Sequence, residues 1–170
     1  MTSSQAFMGA PNSARYASAK GAILGLTHAL SAEGRTHGIG VNAIWPQAWT
    51  PMAVHMASGA EPVADENKGP MDLMKDPFVG SPTWVAAVVG WLCHESCEST
   101  GEIYFAGHGL VAPVVIAQGP GYYDENMSIE SIRDHVNQVR GHSPLTVLTS
   151  TSQAVETAMA AAPMVAHPVS

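Results

Sequence analysis

The pattern of apolar and polar positions divides the chain into blocks. Residues Met1 to Ser4 have the character of a strand end, followed by a loop through Asn12 that contains Gly9 and Pro11. A helical pattern then runs from about Ser13 to Gly34, with Asn12 or Ser13 as its cap and Gly34 to Gly38 as its stop. Along it Ala17, Gly21, Ala22 and Gly25 keep part of the surface thin enough for another backbone to approach. The run from Gly38 to Trp45 is apolar and β-branched, as suits a buried parallel strand, and Pro46 stops it. A second helix is predicted over about Pro82 to Ser96, capped by Ser81 or Thr83, with Val85, Val88, Val89 and Leu92 as its apolar stripe. Thr100 to Gly109 reads as turn, strand and glycine-rich exit. Farther on, Ser128 precedes a helical face of Ile129, Ile132, Val136 and Val139, and a connection centred on Pro144 follows. Ser150-Thr151-Ser152-Gln153 has the form of a capping box before Ala154 to Ala162. The Ala- and Pro-rich end reads as a mobile tail, without a Ser-Lys-Leu address.

Between these blocks, Pro51 to Pro82 is rich in Met, Pro and Gly, with Met52, Met56, Met71 and Met74 among acidic and small residues. Methionine suits an adaptable apolar surface, so this stretch reads either as a substrate cover or as a surface insertion. His55 within it reads as an exposed helix residue.

Composition narrows the function classes. Hydrophobic residues make up 46% of the 170 and charged ones only 12%, which indicates a core-rich globular chain. A formal charge of −7 with seven scattered basic residues argues against a nucleic-acid partner, because neutralising phosphates needs clustered cations. No apolar run is long enough to span a bilayer, and the chain reads as cytoplasmic. Cys93 and Cys97 stand four apart, side by side if helical, but the further ligands of a zinc site are missing and no metal is expected. Gly107 to Ala112 fits a degenerate dinucleotide fingerprint but lacks the following capped helix and acidic residue.

The candidate chemistry lies in Tyr16-Ala17-Ser18-Ala19-Lys20. Residues four apart on a helix share a face, so the Tyr16 hydroxyl and the Lys20 ammonium can enter one pocket. A phenol titrates near ~10, and a fixed cation nearby favours its ionised form, which makes a tyrosine useful as a general acid/base. Ser3, thirteen positions before Tyr16, offers a hydroxyl for a carbonyl or alcohol oxygen, with Ser4 as the alternative.

The flanks of this motif carry a resemblance. Thr2-Ser3-Ser4, Gly9-Ala10-Pro11-Asn12, Tyr16 through Thr27, and Gly38-Ile39-Gly40-Val41-Asn42-Ala43-Ile44-Trp45-Pro46 closely resemble the short-chain dehydrogenase/reductase family. The resemblance implies a substrate-binding Ser3, a proton-transferring Tyr16, and a Lys20 that grips the nicotinamide ribose and tunes the tyrosine. It also implies NAD or NADP as cofactor, with Pro46, Gln47 and Thr50 positioned to meet it beyond the strand; the family usually has Pro-Gly where this chain has Pro46-Gln47. Trp91 to Glu98, Ala32 to Arg35 and the spacing from Pro46 to Met52 look like the (3R)-hydroxyacyl-CoA dehydrogenase portion of the multifunctional enzymes type 2 of fatty-acid β-oxidation. That implies an acyl-thioester substrate. In the resembled family the Tyr-Lys helix packs across a dimer interface, which implies a homo-oligomer.

The resemblance covers about residues 2 to 110. The expected fold is therefore α/β, the carboxyl-terminal half of a Rossmann-like, doubly wound parallel sheet, over residues 1–118, with a mostly helical extension over 119–170. The glycine-rich turn of the family's amino-terminal half and its catalytic asparagine are not in this sequence. The expectation is a piece of a longer enzyme, weak or inactive alone. A non-catalytic dimerisation or scaffold role remains open, as does action on 3-oxoacyl carriers or steroids.

Overall fold

The computed structural model describes residues 1–53 and 80–161. The chain forms two compact units, Met1–Val114 and Val115–Ser170. Most of the methionine-rich stretch, with His55, Met56, Met71 and Met74, lies outside the described residues, as does the end of the carboxyl-terminal tail.

In the first unit the order is α1 (Gln5–Met8), α2 (Ala14–Gly34), a 3-10 turn (Arg35–His37), β1 (Ala43–Pro46), α3 (Thr83–Leu92), β2 (Ile103–Gly107) and β3 (Leu110–Pro113). β1 and β2 pair in parallel with Ala43 opposite Ile103 and Pro46 opposite Ala106. The α/β class with a parallel pair is thus present. Ala43, Ile44, Ile103 and Ala106 form the buried apolar centre. Trp45 stands edge-on to Phe105 with ring centroids 5.2 Å apart, and Phe7 of α1 lies 6.2 Å from Trp45.

α2 matches the helical pattern and shows why that pattern is weakly amphipathic. Its inner stripe is small and polar: Thr27, Ser31 and Gly34 are its buried residues. The two hydroxyls are satisfied within the helix, Thr27 Oγ1 donating to Ile23 O at 2.7 Å and Ser31 Oγ to His28 O at 2.9 Å. The four small residues divide between faces. Ala17 and Gly21 lie half-buried on the inner side, whereas Ala22 and Gly25 are exposed with Leu26 and Leu30. Ser13 occupies the position before the helix, but its hydroxyl donates to Ala10 O at 2.6 Å and makes no cap bond. The loop turns back on the serine and removes the expected cap.

Four other expectations shift. The strand predicted from Gly38 begins at Ala43: Gly38 is left-handed, and Val41 N–H donates to Thr100 Oγ1 at 3.1 Å, outside any strand ladder. The second helix ends at Leu92, so Cys93 and Cys97 do not share a helix face; Cys93 N–H turns back to Val89 and Trp91 carbonyls. Val89, expected in the apolar stripe, is 41% exposed, while Trp84, Val85, Val88 and Leu92 are half-buried. After β2 the chain reverses: β3 runs antiparallel to β2, with Gly107 opposite Leu110. His108 and Gly109 both have positive φ, 54° and 74°, the two-residue turn whose twist matches a hairpin.

At the start of the parallel pair, Asn42 Nδ2 donates to Ser99 O at 2.7 Å and its Oδ1 accepts from Ser99 Oγ and Glu102 N–H, each at 3.1 Å. The Tyr104 hydroxyl donates to Glu102, and burial, followed by that bond, raises the phenol above its ordinary value.

The second unit contains β4 (Ala117–Gln118), α4 (Ile129–Asp134), α5 (Val136–Val139), β5 (Thr146–Val147) and α6 (Thr151–Ala161). It is not purely helical, since β4 and β5 pair antiparallel. Ser128 caps α4 as expected: its Oγ accepts from Ser131 N–H, and Ser131 Oγ accepts from Ser128 N–H, both at 3.0 Å. The helix is interrupted at His135, whose ring stacks on Tyr122 at 4.3 Å and whose Nδ1 lies 2.8 Å from Ser131 O. Asn126 N–H holds the neighbouring Asp124 carboxyl below its ordinary value. Before α6, Ser150 Oγ accepts from Gln153 N–H at 3.1 Å, while the Gln153 carbonyl reaches one residue farther back than a standard box, to Thr149 N–H at 2.7 Å. Ser128→Ala removes an acceptor that no other side chain replaces. It is expected to cost about 1 kcal/mol, read as a lower urea midpoint with loss of helical circular dichroism.

Candidate functional site

Tyr16 and Lys20 stand on successive turns at the start of α2. The Lys20 ammonium sits 5.5 Å from the centroid of the Tyr16 ring, a cation–π geometry. Its Nζ also donates to Met1 O at 3.2 Å. One residue on, Thr2 is buried and fixed twice: its Oγ1 donates to Lys20 O at 3.1 Å, and its N–H donates to Ile44 O at 2.7 Å. The opening segment, predicted as a strand end, is therefore tied to both β1 and α2 without forming a regular ladder of its own.

Ser3 follows directly. Its Oγ accepts from Gln5 N–H at 3.3 Å, an arrangement that leaves the hydroxyl proton available to donate elsewhere. Ser4 is already in helical geometry, φ −52° and ψ −36°, at the entry to α1, and its side chain makes no cap bond. The structure thus brings Lys20 onto Tyr16 and ties Lys20 to the backbone two residues before Ser3. Tyr16 is 48% exposed, accessible to a ligand from solvent.

Pro46, Gln47 and Thr50 form a second group at the carboxyl end of β1. Pro46 is the last residue of the strand, and Gln47 N–H continues the pairing by donating to Ala106 O at 2.8 Å. Thr50 Oγ1 accepts from Ala53 N–H at 3.3 Å, so this hydroxyl also keeps its proton. The structural roles of two residues are not evident from the sequence. Gly107 permits the close passage of Gln47, whose carbonyl oxygen lies 2.5 Å from where a Cβ at Gly107 would stand. Thr2 belongs to the strand end and to the family-like run Thr2-Ser3-Ser4, but no role attached to its hydroxyl, and a hydroxyl beside Ser3 was the available signal.

A cavity of about 350 Å³ lies against β1, lined by Met1, Val41, Asn42, Ile44, Leu92 and Cys93 among others. Ser3, Tyr16 and Lys20 do not line it. Its polar side chain, Asn42, is committed to Ser99 and Glu102. Acid/base chemistry is therefore better placed on the exposed Tyr16 side.

Among the described residues no group of three or more His, Cys, Asp or Glu is arranged to hold a metal, and no helix is long and apolar enough to cross a membrane. The groups present fit the nicotinamide-ribose end of a dinucleotide. Lys20 uses one of its three donors on Met1 O, which leaves two for a ribose diol, and the end of β1 carries the expected polar residues.

The family model described as Enoyl-(Acyl carrier protein) reductase, of the short-chain dehydrogenase/reductase group, matches residues 1–110. The peroxisomal multifunctional enzyme type 2 of Mus musculus is 33% identical over 84% of this chain and 18% of its own length. Peroxisomal multifunctional enzyme A of Dictyostelium discoideum is 28% identical over 95% of the chain and 33% of its own length. This chain therefore spans a third or less of each of these two relatives. Among solved structures, the full-length peroxisomal multifunctional enzyme type 2 of Drosophila melanogaster superposes with a TM-score of 0.70 at 23% identity, over 94% of this chain and 27% of that one. A short-chain dehydrogenase from Mycobacterium avium gives 0.55 at 23% identity, over 82% and 42%. These likenesses show the Rossmann-like fold.

Proposed function

Because the chain belongs to the short-chain dehydrogenase/reductase family, we propose that it serves an NAD(P)-dependent oxidoreductase interconverting a secondary alcohol and a ketone, on a 3-hydroxyacyl/3-oxoacyl thioester. The observation that carries this reading is the Lys20 ammonium poised over the Tyr16 ring and anchored to Met1 O, two residues from Ser3. Nicotinamide supplies the hydride acceptor for oxidation and the donor for reduction. Ser3 Oγ donates to the substrate oxygen and holds it in place. Tyr16 takes the hydroxyl proton as the carbinol C–H bond breaks and the C=O bond forms, and returns it in the reverse direction. Lys20 supplies positive charge beside the phenolate, the form in which the tyrosine takes the proton and to which it reverts on giving it back, and its remaining N–H donors suit the ribose. Pro46, Gln47 and Thr50 face the cofactor from the end of β1.

The description of the matching family model, which names an acyl carrier protein, supports the thioester reading, and the names of the relatives set the peroxisome beside the cytoplasm as the compartment. Titrating the full native polypeptide with dinucleotide, then adding 3-hydroxybutyryl-coenzyme A, tests the proposal. Saturable binding followed by thioester-dependent nicotinamide reduction is expected; a protein that binds no dinucleotide contradicts it.

A second copy of the chain is the partner we propose for the outer face of α2. That face carries the exposed Ala22, Gly25, Leu26, Ala29 and Leu30, with Leu26 56% exposed, and small residues there allow close approach. Leu26→Glu is expected to shift the sedimentation profile to a smaller species; an unchanged profile rejects this face as the interface.

A further inference from the structure

Gln5 opens α1 two residues beyond Ser3, and its side-chain oxygen is the one buried side-chain polar atom without a hydrogen-bond partner among the described residues. Its neighbours differ. Thr2 donates to Lys20 O, Ser3 accepts from the Gln5 backbone, and Lys20 donates to Met1 O. A buried acceptor with no donor is destabilising on the scale of a lost hydrogen bond, whereas a methionine of similar length would bury the same stem without that cost. Such a group needs an explanation, and its place suggests one.

The Gln5 N–H holds Ser3 Oγ at 3.3 Å, so the turn that orients the Ser3 hydroxyl also carries the unpaired carboxamide. Ala6, next in the chain, approaches Gly21, the residue after Lys20, its carbonyl oxygen 4.0 Å from where a Cβ at Gly21 would stand. A four-residue helix has no stability of its own, so α1 is held by these contacts with α2. Gln5 as a whole is only partly buried, and the terminal torsion of a glutamine is broad and roughly two-fold. The carboxamide can therefore turn without moving the backbone.

Resting on the oxidoreductase reading, we propose that Gln5 is a specificity-determining residue of the same site, its side-chain carbonyl accepting a hydrogen bond from a neutral donor on the substrate. Two donors share that chemistry, the substrate hydroxyl and the amide N–H of a coenzyme A arm. Glutamine suits either, because it accepts without adding a charge to a site that handles a hydride.

The test compares wild type with Gln5→Met in the full native polypeptide, using 3-hydroxybutyryl-coenzyme A and methyl 3-hydroxybutyrate as probes. Gln5→Met is expected to raise KM on the order of tenfold, the worth of one hydrogen bond, with a much smaller change in kcat. It is also expected to raise the ligand-free melting temperature by a few degrees, about what removing an unpaired buried acceptor yields. Loss on both probes assigns the donor to the hydroxyl; loss on the thioester alone assigns it to the amide arm. An active wild type whose KM is unchanged by the substitution, or whose melting temperature falls, overturns the inference alone. A wild type that neither binds nor turns over either probe overturns the oxidoreductase reading with it.

Discussion

Tyr16→Phe lowers kcat on the order of a thousandfold, within the range typical of losing a positioned acid/base group, and leaves KM and the fold nearly unchanged. The substitution removes one oxygen from a side chain that is 48% exposed, so no buried cavity opens. The phenyl ring still lies under Lys20, preserving the cation–π contact at 5.5 Å and the bond from Lys20 to Met1 O. What is lost is the atom to which the proposed mechanism gives the proton. Steady-state kinetics with unchanged circular dichroism checks it; a variant that keeps wild-type kcat removes Tyr16 from the chemistry.

Gly107→Ala is expected to destabilise the sheet of the first unit. The added Cβ stands 2.5 Å from the Gln47 carbonyl oxygen and 3.0 Å from its Cβ. This backbone has little room to yield, because Gln47 N–H is bonded to Ala106 O at 2.8 Å and Ala106 is fully buried. Separating the ends of β1 and β2 is expected to cost about 1–3 kcal/mol, read as a lower urea midpoint at constant slope. Because Gln47 is proposed to face the cofactor, dinucleotide affinity is expected to fall as well. Gly90→Ala is the control: nothing lies within 4 Å of its added Cβ, and a helical alanine there gains up to roughly 1 kcal/mol.

The sequence showed what depends on local order. α2 was legible nearly residue for residue because its pattern is long and its stop is a left-handed glycine, Gly38. Tyr16 and Lys20 were legible because helical spacing alone makes them neighbours. The four residues of α1 span one turn, too few to show a period. The apolar positions Ile129, Ile132, Val136 and Val139 continue across His135, and nothing local shows that its ring stacks on Tyr122 and breaks the helix. The hairpin after β2 had its signal in His108-Gly109, but the resemblance to a family whose strand ends there favoured a simple exit. Ser3 is proposed from its resemblance to that family's serine, with Ser4 as the alternative. The unpaired oxygen of Gln5 depends on what surrounds it in space, which no spacing encodes.

The central claim is a hydride leaving a substrate carbon while Tyr16 handles the proton. Incubation of the native polypeptide with oxidised dinucleotide and 3-hydroxybutyryl-coenzyme A deuterated at carbon 3, followed by mass spectrometry of the nicotinamide, tests it directly. Deuterium matched to 3-oxo product with wild type, and nearly none with Tyr16→Phe, is the predicted result. No transfer with wild type, or equal transfer with the variant, would contradict the account.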